Sequence, residues 1–256
     1  ARGTVRQALR FEDLCKIEIT IPKYDEQLEL YKNLEITQNI CYKIKLEHSY
    51  QLDLLKKLRQ QILQDAVQGK LLPQDPNDEP VSVLLERIKA EKEKLVGEKK
   101  IKKENPLPLI NTEEIPFEIP DNWVWCRIGE VAQHNSGKTL DSGRNTGTPR
   151  KCLTTSNLYW RFIIIDLLKT IQIEDNELDR CTAKKGDLLV CEGGDAGRAA
   201  IWDYDEVICF QNHLHRIRFY GKINISLGYW YFLHLSLSGR IENYRKGMGI
   251  SNLSGK

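Results

Sequence analysis

Apolar positions fall on two different periods along the chain. From Tyr24 to Gln68 they recur at helical spacing almost without interruption. Cys41, Ile44, Leu55, Leu58 and Ile62 hold a three-four spacing, and the polar His48 and Gln51 share their seam. Such polar seam residues either set register in a coiled coil or mark a solvated kink. The run ends near Gly69, because a glycine follows the last periodic residue and Pro73 and Pro76 cannot continue a helix interior. A second helical pattern restarts after Pro80, with Val81, Leu84, Leu85, Ile88 and Leu95 spaced for one face. One long helix therefore stops, turns and resumes as a shorter one. At about 1.5 Å per residue the first would reach roughly 67 Å, and a helix of that length needs partners along it.

The flanking segments have another character. Before the long helix, a short helix is expected near Phe11 to Leu14 and an alternating strand at Lys16 to Ile21, ended by Pro22. So short a strand needs partners for its backbone groups, so residues 1–23 read as the tail of a preceding domain. After the second helix, the basic run GEKKIKKEN and the prolines that follow it place a linker at 96–114, extended in path up to Asn122. From Trp123 the period shortens to that of strands. Candidates are Trp123–Arg127, Arg161–Ile165, Lys169–Ile173, Asp187–Cys191, Ala199–Asp203, Val207–Cys209 and Leu214–Phe219, separated by turn chemistry such as KKGD, EGGDAGR and DYDE. Ile225 to Ser238 is long and apolar enough for a buried helix. The fold class is α+β, a long coiled-coil-like helical spacer at 24–95 followed by a strand-rich domain at 115–256.

Composition narrows the function classes. No apolar run approaches the roughly 18 residues of a membrane span, and no apolar segment follows the basic first residues as in a signal peptide, so a cytoplasmic protein without membrane contact is expected. The seven cysteines form no CxxC pair, which favours buried thiols over a disulfide framework or a zinc ribbon. A net charge of +2 cannot by itself draw in nucleic acid; basic residues would have to be gathered on one face.

Catalytic signatures do not assemble. SGKT at Ser136–Thr139 has Ala132 where a phosphate-cradling loop needs its first glycine. EGGDAG leads into a strand, whereas a dinucleotide loop opens a helix. The NPPY or DPPY tetrapeptide of amino-methyltransferases is missing from the sequence. His213 and His215 lack a Cys or carboxylate cluster to complete a metal site. No cofactor is expected.

What remains suits DNA reading. The loop expected from Ser136 to Lys151 carries Lys138, Thr139, Arg144, Arg150 and Lys151 among glycines and hydroxyls, so its backbone can approach phosphates while side chains reach base edges. The same composition also suits a plain surface loop. Ser156 and Asn157 in TTSN, and Gln211 and Asn212 in QNH, add groups of the kind that pair with adenine or phosphate.

The wording QILQDAVQGKLLPQDPNDEPVSVLLERIKAEKEKL, followed by IPDNWVWCRIGEV, resembles the central conserved region and second recognition domain of a type I restriction-modification specificity subunit. The likeness covers nearly the whole chain. It implies a non-catalytic subunit that reads one half of a bipartite target in double-stranded DNA and docks modification (methyltransferase) subunits. The restriction (translocase and nuclease) subunit would be met only indirectly, and S-adenosylmethionine would belong to the methyltransferase. Such subunits carry two recognition domains, each followed by helices, and Gly3 and Leu9 recur near the end as Gly247 and Leu253. The resemblance also treats the segment after EGGDAGR as scaffold, which puts the first loop ahead of Gln211 and Asn212. Two other classes fit the residues: the recognition portion of a single-chain adenine DNA methyltransferase, and a coiled-coil scaffold that binds protein.

Overall fold

The structure, a computed structural model, describes residues 10–75, 77–141 and 143–245. The Gly3/Leu9 and Gly247/Leu253 likeness therefore lies outside the described residues, as does Pro76. In chain order the helices and strands are α1 (Phe11–Leu14), α2 (Tyr24–Val67), α3 (Val81–Gly97), α4 (Ile128–Val131), β1 (Ala132–Ser136), β2 (Thr148–Leu153), β3 (Lys169–Ile173), α5 (Leu178–Cys181), β4 (Thr182–Ala183), β5 (Asp187–Cys191), β6 (Ala199–Trp202), β7 (Ile208–Phe210), β8 (Leu214–Phe219) and α6 (Ile225–Leu237). The chain is mixed α+β, and it divides into two compact units, Ala1–Lys57 and Leu58–Lys256.

In the first unit α1 forms where expected, but Lys16 to Ile21 is not a strand. Ile17, Ile19 and Ile21 are exposed, and among the described residues no strand pairs with the segment to give it a ladder. The long helix leaves its seam uncovered: Ile44, Leu55, Leu58 and Ile62 are exposed, and only Leu63 and Val67 of α2 are buried. Its stop is a C-terminal cap in which Lys70 N–H donates to the Asp65 carbonyl at 2.8 Å and Gly69 N–H to that of Ala66 at 3.1 Å. Gly69 takes φ +71°, and a Cβ there would lie 2.6 Å from Pro120 Cγ. Only glycine meets both demands.

The second unit is a two-sheet sandwich with helices outside it. One sheet runs β1-β8-β5-β6, and its three pairings are all antiparallel. The other runs β3-β2-β7-β4, with β2 and β7 parallel. Their facing sides share a core of Leu153, Ala183, Leu189, Cys191, Ala200, Trp202, Ile208, Phe210 and Leu214. The far side of the first sheet is covered by α6, through Tyr229, Phe232 and Leu235 against Leu188, Val190 and Ile217. Helix α3 seats Ile88 between Val131 and Tyr220, and its Glu91 accepts from Gly221 N–H at 3.0 Å while Lys92 donates to the Gly129 carbonyl at 2.6 Å.

Charged side chains are buried in the first sheet. Arg216 of β8, 1% exposed, donates to the Asp179 carbonyl at 3.1 Å, to the Thr182 carbonyl and to Asn135 Oδ1, tying β8 to β1 and to the α5–β4 corner. Burial pushes its guanidinium pKa down to about 10, and the Arg218 charge adds to this. Arg218 is itself held by both oxygens of the buried Asp187, at 2.7 and 2.6 Å. On the α6 side of the same sheet His134 Nε2 lies 2.8 Å from His215 Nδ1; burial, then the neighbouring His215 and Arg216, take the His134 pKa down to about 4.

Several expected elements differ. Trp123–Arg127 is not a strand but extended chain leading into α4. Its Trp125 is spent on packing, 5.0 Å from Phe117 and 6.4 Å from Tyr231 between ring centroids. Arg161–Ile165 is a turn whose single β-bridge joins Leu158 to Ile163. The Ser136–Lys151 loop is shorter than expected, because β1 takes Ser136 and β2 takes Arg150 and Lys151. β5, β8 and β3 match their expected bounds, while β6 ends one residue sooner and β7 is shifted by one residue. Of the free thiols, Cys152, Cys181, Cys191 and Cys209 are buried, but Cys15 and Cys41 are exposed.

Candidate nucleic-acid interface

The antiparallel pair β2 and β3 forms one edge of its sheet. Because side chains alternate along a strand, Cys152, Ile171 and Ile173 share one face and pack with Cys181 and Cys209. The opposite face carries Lys151 across from Thr170 and Pro149 across from Gln172, all four exposed. Leu140, Asp141 and Asn145 of the preceding loop, with Lys169 to Gln172 of β3, line an open groove beside this face. Thus the loop and the edge strand make one mixed surface, where amide, hydroxyl and ammonium groups stand beside the Asp141 carboxylate and the apolar Leu140 and Ile171.

Acidic residues sort the loop's cations into held and free. The turn Asp175–Glu177 after β3 pairs Glu177 with Lys138 at 2.5 Å and Asp175 with Arg150 at 2.7 Å. Arg180 closes the same corner, donating to the Ser136 and Gly137 carbonyls at 3.0 and 2.7 Å and reaching Glu177 at 3.3 Å. The Lys138 hydrogen bond is the main reason that the Glu177 carboxyl sits below its usual pKa. Arg144 stands out instead, its side chain 89% exposed with only a surface pairing to Asp141 at 3.7 Å, an interaction worth little in water. Lys151 and Lys169 are exposed and form no ion pair among the described residues.

The other sequence candidates are placed differently. Thr139 is exposed, and its carbonyl accepts from Asn145 Nδ2 at 2.9 Å, which shapes the loop. Ser156 is exposed beside Thr154, hydroxyl to hydroxyl at 2.7 Å. Asn157 is buried and fully used: Oδ1 accepts from the Thr154 N–H and hydroxyl, and Nδ2 donates to the Ile164 and Leu167 carbonyls. Gln211 is buried, its N–H on the Leu153 carbonyl at 2.9 Å, and half-buried Asn212 donates its N–H to the Lys138 carbonyl at 2.9 Å. The structure therefore gathers Thr139, Arg144 and Lys151 around the groove, and sets Ser156 and Asn157 beyond the other end of β2. Sequence reading missed Lys169, Thr170 and Gln172. Thr170 and Gln172 were signalled by the alternation of β3, where they form the polar face, whereas Lys169 falls on the face of Ile171 and Ile173.

The site is thus an open edge of a two-sheet α+β domain, its cations sorted by a neighbouring acidic turn. The profile of the type I restriction modification DNA specificity domain matches residues 120–256, and the chain belongs to that family. Over 101 residues it is 52% identical to the specificity subunit of the type I restriction enzyme EcoAI of Escherichia coli, covering 40% of this chain and 17% of that protein. Over 103 residues it is 50% identical to the EcoEI specificity subunit of the same organism, again covering 40% and 17%. The match thus spans 17% of the length of these curated relatives. Among solved structures, the HsdS subunit from Thermoanaerobacter tengcongensis aligns with 93% of this chain and 48% of its own, at 15% identity and a TM-score of 0.38.

Proposed function

We propose that this chain is the DNA-reading part of a type I specificity subunit, with residues 115–256 reading one half of a bipartite double-stranded target. The observation that supports it best is the exposed β2–β3 face and its loop, which lie within the residues matched by the DNA specificity family. Residues 24–95 act as spacer and docking element. The uncovered seam of Ile44, Leu55 and Leu58 on α2 suits a helix that is completed by another helix or by the modification subunits. The restriction subunit is engaged through those partners, and methyl transfer belongs to them. No helix among the described residues is long and apolar enough to cross a membrane.

Reading and spacing should separate on grafting. Moved into a related full-length subunit, residues 115–256 change the sequence of one half of the methylated target and leave the gap between the halves alone. Sequencing the methylated motif in cells carrying the graft measures both. A changed gap with both half-sites intact would reverse the assignment.

The interface itself has a sharper test. Since Lys138 and Arg150 are held by Glu177 and Asp175, the free cations Arg144 and Lys151 carry the interactions with phosphate. Replacing both by Ala lowers the log-log salt dependence of DNA binding by roughly 0.9 for each phosphate no longer neutralised. A folded double variant with the slope of the parent would take this edge out of the interface.

A further inference from the structure

We infer that the turn from Leu158 to Ile163 is a second DNA-binding element, one that receives an unstacked base on the open face of Phe162; this rests on the DNA-reading function proposed above. The turn is built for presentation. Leu158 and Ile163 are buried and bridged to each other, Tyr159 N–H donates to the Phe162 carbonyl at 3.0 Å, and Trp160 packs edge-on to Tyr229 with centroids 6.1 Å apart. Asn157, through the carbonyls of Ile164 and Leu167, staples the base of the turn. Between these anchors Tyr159 and Phe162 turn outward, 39% and 56% exposed, and stack on each other with centroids 5.2 Å apart and planes 5° from parallel.

A column results. The Arg198 guanidinium lies 5.5 Å from the Tyr159 ring centroid, Tyr159 lies on Phe162, and Phe162 ends the column in solvent. The stack leaves a ring open to water at its end, and every nucleobase has a face that fits. At the tip, Arg161 holds φ +78°, a conformation that favours glycine, so an exposed cation is kept where a strain-free residue would serve the fold better. Arg161 makes no ion pair among the described residues, and no carboxylate lies between Leu158 and Ile163. Arginine beside an aromatic face is the chemistry of a phosphate and its base. The same residue types also populate protein interfaces, but the stacked geometry with an open end favours a flat π-face over a shaped side chain.

The turn lies beyond the end of β2 remote from the Arg144 loop, so the two elements can be tested apart. The probe is a short mixed-sequence duplex, either fully paired or carrying a single bulged base that is already unstacked, titrated with the full chain by fluorescence anisotropy. The parent is expected to prefer the bulged duplex roughly tenfold, within the range of one base–aromatic stack. Phe162→Ala, an exposed truncation checked by circular dichroism, binds both duplexes alike with an unchanged salt slope. Arg161→Gly keeps the preference and lowers the slope by roughly 0.9. The inference is overturned if the parent shows no preference, if Phe162→Ala keeps it, or if Phe162→Ala loses only the capture of a methyltransferase subunit. Binding that Arg144→Ala with Lys151→Ala weakens but Phe162→Ala does not would remove this turn alone. A parent that binds neither duplex would remove the DNA-reading function with it.

Discussion

Arg216→Leu is expected to cost the strand-rich domain about 3 kcal/mol, because three acceptors lose their donor at about 1–3 kcal/mol each while the relief of a buried charge returns part of this. Those acceptors are the carbonyls of Asp179 and Thr182 and the Asn135 amide oxygen, which belong to the α5–β4 corner and to β1, and the side chain that joins them to β8 is 1% exposed. For a unit of this size the melting temperature should fall by roughly 6–12 °C. Arg216→Lys keeps the charge but not the planar fork, so it should fall between parent and Leu. Scanning calorimetry measures all three. A Leu variant as stable as the parent would mean that the charge costs as much to bury as its hydrogen bonds return.

Gly137→Ala should be more damaging still, at roughly 3 kcal/mol or more, since overpacking against backbone has no soft partner to yield. A Cβ at Gly137 would lie 2.1 Å from the Phe210 carbonyl oxygen, 2.4 Å from that of Gln211 and 2.5 Å from the Gln211 carbonyl carbon. To admit it, the chain after β1 would have to part from the end of β7. That movement breaks Lys138 N–H to the Phe210 carbonyl and Asn212 N–H to the Lys138 carbonyl, both 2.9 Å. The loop that carries Thr139 and Arg144 springs from this junction, so DNA binding should fall along with stability. Gly97→Ala is the control: nothing lies within 4 Å of a Cβ there, and its stability should stay within about 0.5 kcal/mol of the parent. Equal melting temperatures for the Gly137 and Gly97 variants would mean that the two strands do not approach so closely.

The two stability variants lie at points that sequence reading could not weigh. Gly137 stands in an SGKT motif that fails as a phosphate loop, and its need for glycine comes from a strand more than seventy residues further along the chain. Arg216 reads as an ordinary polar residue in an alternating strand. Its burial follows from the second sheet closing over that side of β8.

Where a period is carried by the apolar residues themselves, the sequence determined the structure. The long helix, its stop at Gly69 and the restart at Val81 follow from helical spacing, glycine and proline, and β3, β5, β8 and α6 from local alternation or a continuous apolar run. The family is legible for the same reason, in unbroken stretches of wording. Elements whose local pattern is weak were decided by their partners. β1 (AQHNS) and β2 (TPRKCL) are strands because β8, β3 and β7 offer ladders to their backbones, whereas Trp123–Arg127, with a better pattern, has its Trp125 drawn off to pack on Phe117. The candidate site divides in the same way. Its residue types could be read directly, but Arg150 and Arg144 look alike in a sequence. Only the fold brings Asp175 and Glu177 against Arg150 and Lys138, at 2.7 and 2.5 Å, whereas Arg144 keeps just a loose surface pairing with its chain neighbour Asp141 at 3.7 Å, because the close approaches are set by tertiary packing and not by chain order.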